Sequence, residues 1–91
     1  MEVTVLGAEY LPAVGRFFSI DSEEIHDLSR SEVMVLFGDS KTITLTTTGQ
    51  SFPITAIEPM YGCFAGKTNA LILVEADSLP AGIYPTPAVI E

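Results

Sequence analysis

Short runs of β-branched and aromatic residues, separated by turn-forming residues, dominate the chain. Residues 2–6 form one such run and end at Gly7, and residues 10–20 form a second that carries Pro12 and Gly15 near its beginning. Runs bounded in this way are typical of strands. A proline or glycine inside a strand favours an edge or a bulge. We therefore expect two strands within the first twenty residues.

One stretch has the features of a helix. Asp21 can cap residues 22–29, and Glu24 follows Asp21 by three positions, as in a capping box. Ile25 and Leu28 have the i, i+3 spacing of a face turned towards a sheet. Because two turns are too few for a stable isolated helix, the sequence predicts a short, packed connector near residues 22–29.

The clearest hairpin signal comes next along the chain. Residues 32–37 and 41–47 are rich in β-forming residues and are separated by the short turn sequence at 38–40. In the first of these runs, residues 33–37 are all apolar, so a strand there would have two apolar faces. This is typical of a strand that is covered on both sides. We therefore expect Val35 and Leu36 to be buried on opposite faces of one strand.

The second half of the chain continues the β pattern. Residues 51–57 predict an edge strand, because Pro53 has no amide hydrogen to donate to a neighbouring strand. Residues 58–69 are of mixed character and predict a loop. Residues 70–75 are continuously apolar over a length that favours a buried strand.

These elements predict a single β domain over residues 1–91. The expected fold class is mainly β: a small β-sandwich or partly open β-barrel of six to seven strands, with one short helix near residues 22–29. The positions expected to form the core are Val3, Val5, Phe17, Ile20, Ile25, Leu28, Val33, Val35, Phe37, Ile43, Leu45, Ile57, Leu71 and Leu73.

The last eight residues, 84–91, have the composition of an extended arm. Pro85 and Pro87 stiffen the chain and cannot donate backbone hydrogen bonds at two alternate positions. The stretch is also too apolar to remain free in water, so we expect it to lie on a neighbouring subunit or a capsid-like partner. The expected partner-binding residues are Ile83, Tyr84, Pro85, Pro87, Val89 and Ile90. The alternative is that Val89 and Ile90 form an internal closing strand.

Composition narrows the class of partner. Twelve acidic residues against four basic ones give a net charge of −8, which argues against nucleic acid and anionic membrane as partners. Hydrophobic residues make up 47% of the chain and charged residues 18%, with a mean hydropathy of +0.39. A domain of this size leaves part of that apolar surface uncovered, so we expect a homo-oligomer or a larger protein assembly. The first residues lack the charged and apolar regions of a signal peptide, which favours synthesis in the cytoplasm.

Few residues offer catalytic or metal chemistry. Residues 66–68 match the end of a P-loop, but Tyr61 stands where the first glycine is required. His26, with Glu23 three residues before it, supplies two metal ligands at most, and we expect it to be a solvated helix residue. Cys63 has little positive charge available to stabilise a thiolate. We therefore expect no catalytic residue, no metal site and no cofactor.

The sequence at residues 79–84, Leu-Pro-Ala-Gly-Ile-Tyr, resembles a turn found before a late strand in immunoglobulin-like and fibronectin-like sandwiches. In those domains the tyrosine hydroxyl bonds to the chain upstream and forms a corner. The resemblance implies that role for Tyr84. Pro85 and Pro87 depart from the pattern and interrupt the strand that should follow.

In overall character the chain is similar to small all-β decoration (cement) proteins of bacteriophage capsids. That resemblance implies a self-associating, non-enzymatic protein that binds a capsid shell and is located in the virion. The alternative is a small ligand-binding β-module that recognises a glycan, for example, through exposed Tyr10, Tyr61 and Phe64. A third hypothesis is an enzyme that uses His26 or Cys63.

Overall fold

Six antiparallel strands close into a barrel in the computed structural model, which describes residues 1–64 and 66–91 and leaves the side chains of residues 62–64 undescribed. The strands are β1 (Glu2–Leu11), β2 (Gly15–Asp21), β3 (Thr42–Leu45), β4 (Ser51–Phe64), β5 (Lys67–Val74) and β6 (Thr86–Ile90). Their order around the barrel is β1-β2-β5-β4-β3-β6. The predicted mainly β fold is confirmed. Closure gives every strand two neighbours along part of its length, which reduces the exposed sheet edge.

The helical segment lies later in the chain than the sequence pattern predicts. Only a 3₁₀ turn, Glu23–Ile25, falls within the predicted helix, and the α-helix, α1, spans Arg30–Phe37. The predicted strand at 32–37 is therefore wrong, and so is the hairpin built on it. Ser29 caps α1 in a reciprocal pair with Glu32. This capping box satisfies two amides at the start of the helix, which favours helix over strand for the run that follows.

The two faces of α1 differ sharply. Val33 and Phe37, spaced i, i+4, are fully buried in the core of the barrel. Met34, Val35 and Leu36 point outwards. The expectation that Val35 and Leu36 are both buried is therefore wrong, because it assumed a strand with both faces covered.

The interior of the barrel is one hydrophobic cluster. Most of the predicted core is buried, namely Val3, Val5, Phe17, Ile20, Ile25, Val33, Phe37, Ile43 and Leu45. Leu28, Ile57, Leu71 and Leu73 are only half-buried. On β5 the inward residues are instead Ala70, Ile72 and Val74. Because residues 70–74 are apolar at every position, alternation there gives no signal for which set faces inwards.

β1 and β2 form a hairpin that divides the predicted 10–20 strand. β1 passes Gly7 with a shift of register and continues to Leu11. The amide of Val14 then donates to the carbonyl of Leu11 at 2.9 Å, and Gly15 takes a φ of +107°. Pro12 occupies the second position of this turn, where its fixed φ is favoured. The proline and glycine therefore mark a chain reversal.

β4 and β5 replace the predicted loop at 58–69. β4 continues to Phe64 and β5 begins at Lys67. The edge assignment at 51–57 is also wrong, because β4 lies between β3 and β5. The carbonyl of Pro53 accepts a hydrogen bond from the amide of Glu75, so the proline takes part in the sheet through its acceptor.

β6 is an integral strand between β1 and β3. Val3 lies opposite Ala88 and Ile43 opposite Ile90, and both residues of β6 are buried. The prediction of an extended arm is therefore wrong for residues 86–90, and the alternative of an internal closing strand is correct. Pro87 does not prevent pairing, since its carbonyl accepts from the amide of Thr46 at 3.1 Å.

Candidate interaction surfaces

The outward face of α1 is an exposed apolar surface built by helix geometry. Successive helical residues are rotated by about 100°, so the anchoring of Val33 and Phe37 directs Val35 away from the core. Val35 is 85% exposed, and Met34 and Leu36 beside it are 43% and 46% exposed. Three consecutive apolar side chains thus lie at the surface of a helix that is only eight residues long.

A groove of about 380 Å³ runs beside this face. Aliphatic side chains from α1 and from the segment before it form most of its wall. The residues that line it are Leu28, Ser31, Glu32, Val35 and Leu36. We call it the α1 groove. Its apolar floor and polar border match the general anatomy of protein interaction surfaces.

Charged groups stand at the beginning of α1. Backbone and side-chain hydrogen bonds from Ser29 lower the pKa of Glu32, so its carboxylate is ionised at neutral pH. Arg30 donates to Glu58 on β4 at 3.1 Å, and both side chains are largely exposed. Exposed pairs of this kind add little stability. Of these charged groups, Glu32 lines the α1 groove and gives it an acidic border.

The turn of the β1–β2 hairpin is the second exposed apolar surface. Leu11, Pro12, Ala13 and Val14 are all exposed, and we call them the hairpin tip. Turns are usually built from glycine, proline and small polar residues, whereas Leu11, Ala13 and Val14 are apolar residues without such a role. A hydrogen-bonded turn in one defined conformation carries them outside the barrel.

An aromatic–cation contact supports the base of the tip. The Arg16 guanidinium carbon lies 4.6 Å from the centre of the Tyr10 ring. Arg16 also donates to the carbonyl of Ala76 at 3.2 Å. These contacts connect both strands of the hairpin to the segment that follows β5 and so hold the tip in place.

Two of the three aromatic residues expected to recognise a glycan, Tyr10 and Tyr61, lie far apart in the sheet. Tyr10 and Tyr61 are 56% and 69% exposed. Tyr10 pairs with Arg16 on β2, which in turn pairs with Val74 on β5, so Tyr10 lies at the level of Val74. Tyr61 pairs directly with Thr68 on β5. Six residues of β5 separate these levels, which is about 20 Å along a strand. The side chain of Phe64, the third expected contact, lies outside the described residues.

His26 occupies a structural position. Its Nε2 donates to Asp21 Oδ1 at 2.6 Å, and its side chain is only 16% exposed. Its carbonyl also accepts from the amide of Thr68. The expectation of a solvated helix residue is therefore wrong.

Cys63 cannot be assigned a role because its side chain lies outside the described residues. In the part of the chain that the structure describes, no three acidic, histidine or cysteine side chains are grouped as metal ligands would be.

The residues expected to contact a partner through the C-terminal arm differ in their exposure. Ile90 is buried, Ile83, Tyr84 and Val89 are half-buried, and Pro85 and Pro87 are exposed. The Tyr84 hydroxyl donates to the carbonyl of Pro80 at 2.6 Å. This confirms the tyrosine corner implied by the resemblance of residues 79–84, within a barrel in place of a sandwich.

Both exposed surfaces were missed by the sequence reasoning, although each has a local signal. Ser29 and Glu32 have capping-box spacing before an apolar run, and Pro12 and Gly15 bracket a turn.

No helix among the described residues is long and apolar enough to cross a bilayer. Compared with known proteins, the chain matches no family model, no curated protein and no solved structure.

Proposed function

We propose that this chain is a non-enzymatic structural protein that self-associates through the outward face of α1. The observation that carries the proposal is the 85% exposure of Val35 between two further exposed apolar residues. Single exposed apolar side chains are common on soluble proteins. A contiguous apolar face next to a groove is typical of an interaction site.

The charge of the chain supports a second copy of the same chain as the partner that covers the outward face of α1. Each copy carries a net charge of −8, so contact through acidic faces would be opposed by repulsion. Residues 33–37 contain no charged residue. The centre of the outward face of α1 therefore allows two copies to approach through uncharged side chains, with the Glu32 carboxylate at its border.

The closed barrel favours association through side chains. Where a strand pairs with two neighbours, as β1 does at residues 4–5 and β2 does at residues 16–20, adding a strand from another chain would require a sheet hydrogen-bond ladder to open. Exposed side-chain surfaces, such as α1, offer contact without opening a ladder. Charged residues make up 18% of the chain, against about 25% in ordinary soluble domains. This low proportion also fits a protein that covers part of its surface in an assembly.

Within this proposal, the larger assembly is a capsid-like shell and the location is the virion. Support for this finer assignment comes from overall character: a small, acidic, all-β chain with exposed apolar surface. Co-sedimentation with purified shells tests the assignment. Binding that saturates at a fixed ratio of copies per shell subunit supports it, and failure to bind any shell at concentrations where the chain self-associates contradicts it.

Sedimentation velocity of Val35→Asp tests the self-association itself. The added charge should weaken association at least tenfold, since it would be desolvated in the contact. Ser78→Asp is the matched control, because Ser78 is exposed and lies outside α1. The proposal requires that this control associates like the wild type. Equal association by the two variants contradicts it.

A further inference from the structure

We infer that the hairpin tip of one copy binds in the α1 groove of the next copy. This inference rests on the proposed self-association and specifies its geometry. The tip and the groove are both exposed on the same chain, and both are apolar. Their pairing would cover two exposed apolar surfaces in one contact.

The shapes of the two surfaces allow one to lie in the other. The α1 groove is a shallow, open depression lined by Leu28, Val35 and Leu36 among others. The tip is convex, and its Leu11 and Val14 side chains are 45% and 50% exposed. A projecting turn can enter a groove, whereas two grooves placed face to face leave a gap between them. Good packing at an interface requires such complementarity.

The tip is also organised before binding. Its turn is closed by the 2.9 Å hydrogen bond from Val14 to Leu11, and its base is supported by the contact between Arg16 and Tyr10. A segment that is already ordered loses less conformational entropy on binding. The apolar side chains therefore need little rearrangement to enter a groove.

Charge favours the same pairing. Arg16, one of only four basic residues in the chain, lies one residue pair below the tip. The groove contains the ionised carboxylate of Glu32. Glu9, the nearest carboxylate on the hairpin, is one pair further from the tip than Arg16. An inserted tip therefore brings its basic residue closest to the acidic border of the groove.

A contact between two different surfaces leaves one tip and one groove unused in each dimer. Such head-to-tail contacts continue until they close into a ring or extend as a filament. The competing arrangement packs two α1 faces around a two-fold axis and stops at a dimer. Two variants, one defective in each surface, distinguish these arrangements.

The experiment mixes a tip variant with a groove variant. The tip variant is L11D/V14D and the groove variant is Val35→Asp, with Val14→Ser and Val35→Ser as milder substitutes if either fails to fold. Circular dichroism and thermal melting of each variant establish that it is folded. Sedimentation velocity then measures each variant alone and the 1:1 mixture, at concentrations where the wild type associates.

The head-to-tail contact predicts that each variant alone is at least tenfold weaker in association. The mixture should form a 1:1 dimer and no larger species, because only one intact tip and one intact groove can meet. If the tip variant associates like the wild type and the mixture adds nothing, the two α1 faces pack on each other, and the inference fails while the proposed function stands. A monomeric wild type at every concentration overturns both.

Discussion

Val33 and Val35 lie two positions apart on α1 and have opposite environments: Val33 is fully buried, while Val35 is 85% exposed. A helix produces this contrast because a rotation of about 200° separates the two side chains. A strand would place them on the same face. The pair therefore reports both the helical state of residues 30–37 and the direction of the exposed face.

Truncating each valine should give different losses of stability. Val33→Ala should lower the free energy of unfolding by about 2 kcal/mol, because it removes buried methyl groups and leaves a cavity. Val35→Ala should change it by less than about 0.5 kcal/mol. Urea denaturation of both variants at a concentration where the chain is monomeric checks this. Equal losses would mean that this segment is not the helix described.

The helix cap should be measurable through Ser29→Ala. Loss of the capping hydroxyl should cost about 1 kcal/mol at neutral pH, whereas Ser78→Ala, at an exposed position, should have little effect. The pKa of Glu32 is lowered from 4.5 by its bonds to Ser29. Stability from those bonds is therefore present above pH 4.5 and is lost as pH falls through the lowered folded pKa. The difference between wild type and Ser29→Ala should shrink below that pH, and a constant difference would exclude the carboxylate from the cap.

Tyr84→Phe tests the tyrosine corner. Losing the hydroxyl bond to Pro80 should cost about 1 kcal/mol, while Tyr61→Phe, at an exposed position, should cost much less. Burial raises the pKa of Tyr84 above 10.0. Because the folded state holds this proton more tightly, the wild type should lose stability as pH rises from 10.0 through the raised pKa. Chemical denaturation at several alkaline pH values should show that this component is missing in Tyr84→Phe.

His26→Ala tests whether the histidine is structural. The sequence alone predicts a change below about 0.5 kcal/mol, as for a solvated residue. The half-buried bond to Asp21 predicts a loss nearer to 1 kcal/mol. Asp27→Ala, at an exposed neighbouring position, is the matched control and should be close to neutral. Thermal or urea unfolding of both variants at neutral pH decides between the two expectations.

Local pattern was sufficient for much of the barrel. Residues 2–6, 42–45 and 70–74 were predicted as strands and are strands, because β-forming residues there are bounded by turn signals. The tyrosine corner was likewise available from a six-residue sequence. Where two local signals conflicted, at residues 32–37, β propensity indicated a strand while Ser29 and Glu32 capped a helix.

Other features depend on distant parts of the chain. β6 closes the barrel between β1 and β3, and neither partner can be identified from residues 86–90 themselves. The two exposed surfaces have a similar origin. Val35 is exposed because Val33 and Phe37 on the same helix fill the core, and Leu11 because the hairpin extends beyond the barrel. Which side chains are exposed in this way depends on tertiary packing, and the hydrophobic periodicity of the sequence does not determine it.

The molar mass of the wild-type chain as a function of concentration tests the central claim most directly. Multi-angle light scattering measures this molar mass over a wide range of protein concentration, for the wild type and for Val35→Asp in parallel. The account predicts a wild-type mass that rises above the 9.8 kDa monomer with increasing concentration, while the variant stays at the monomer mass over the same range. A wild-type chain that remains at 9.8 kDa throughout, or a variant that associates equally well, would contradict self-association through α1.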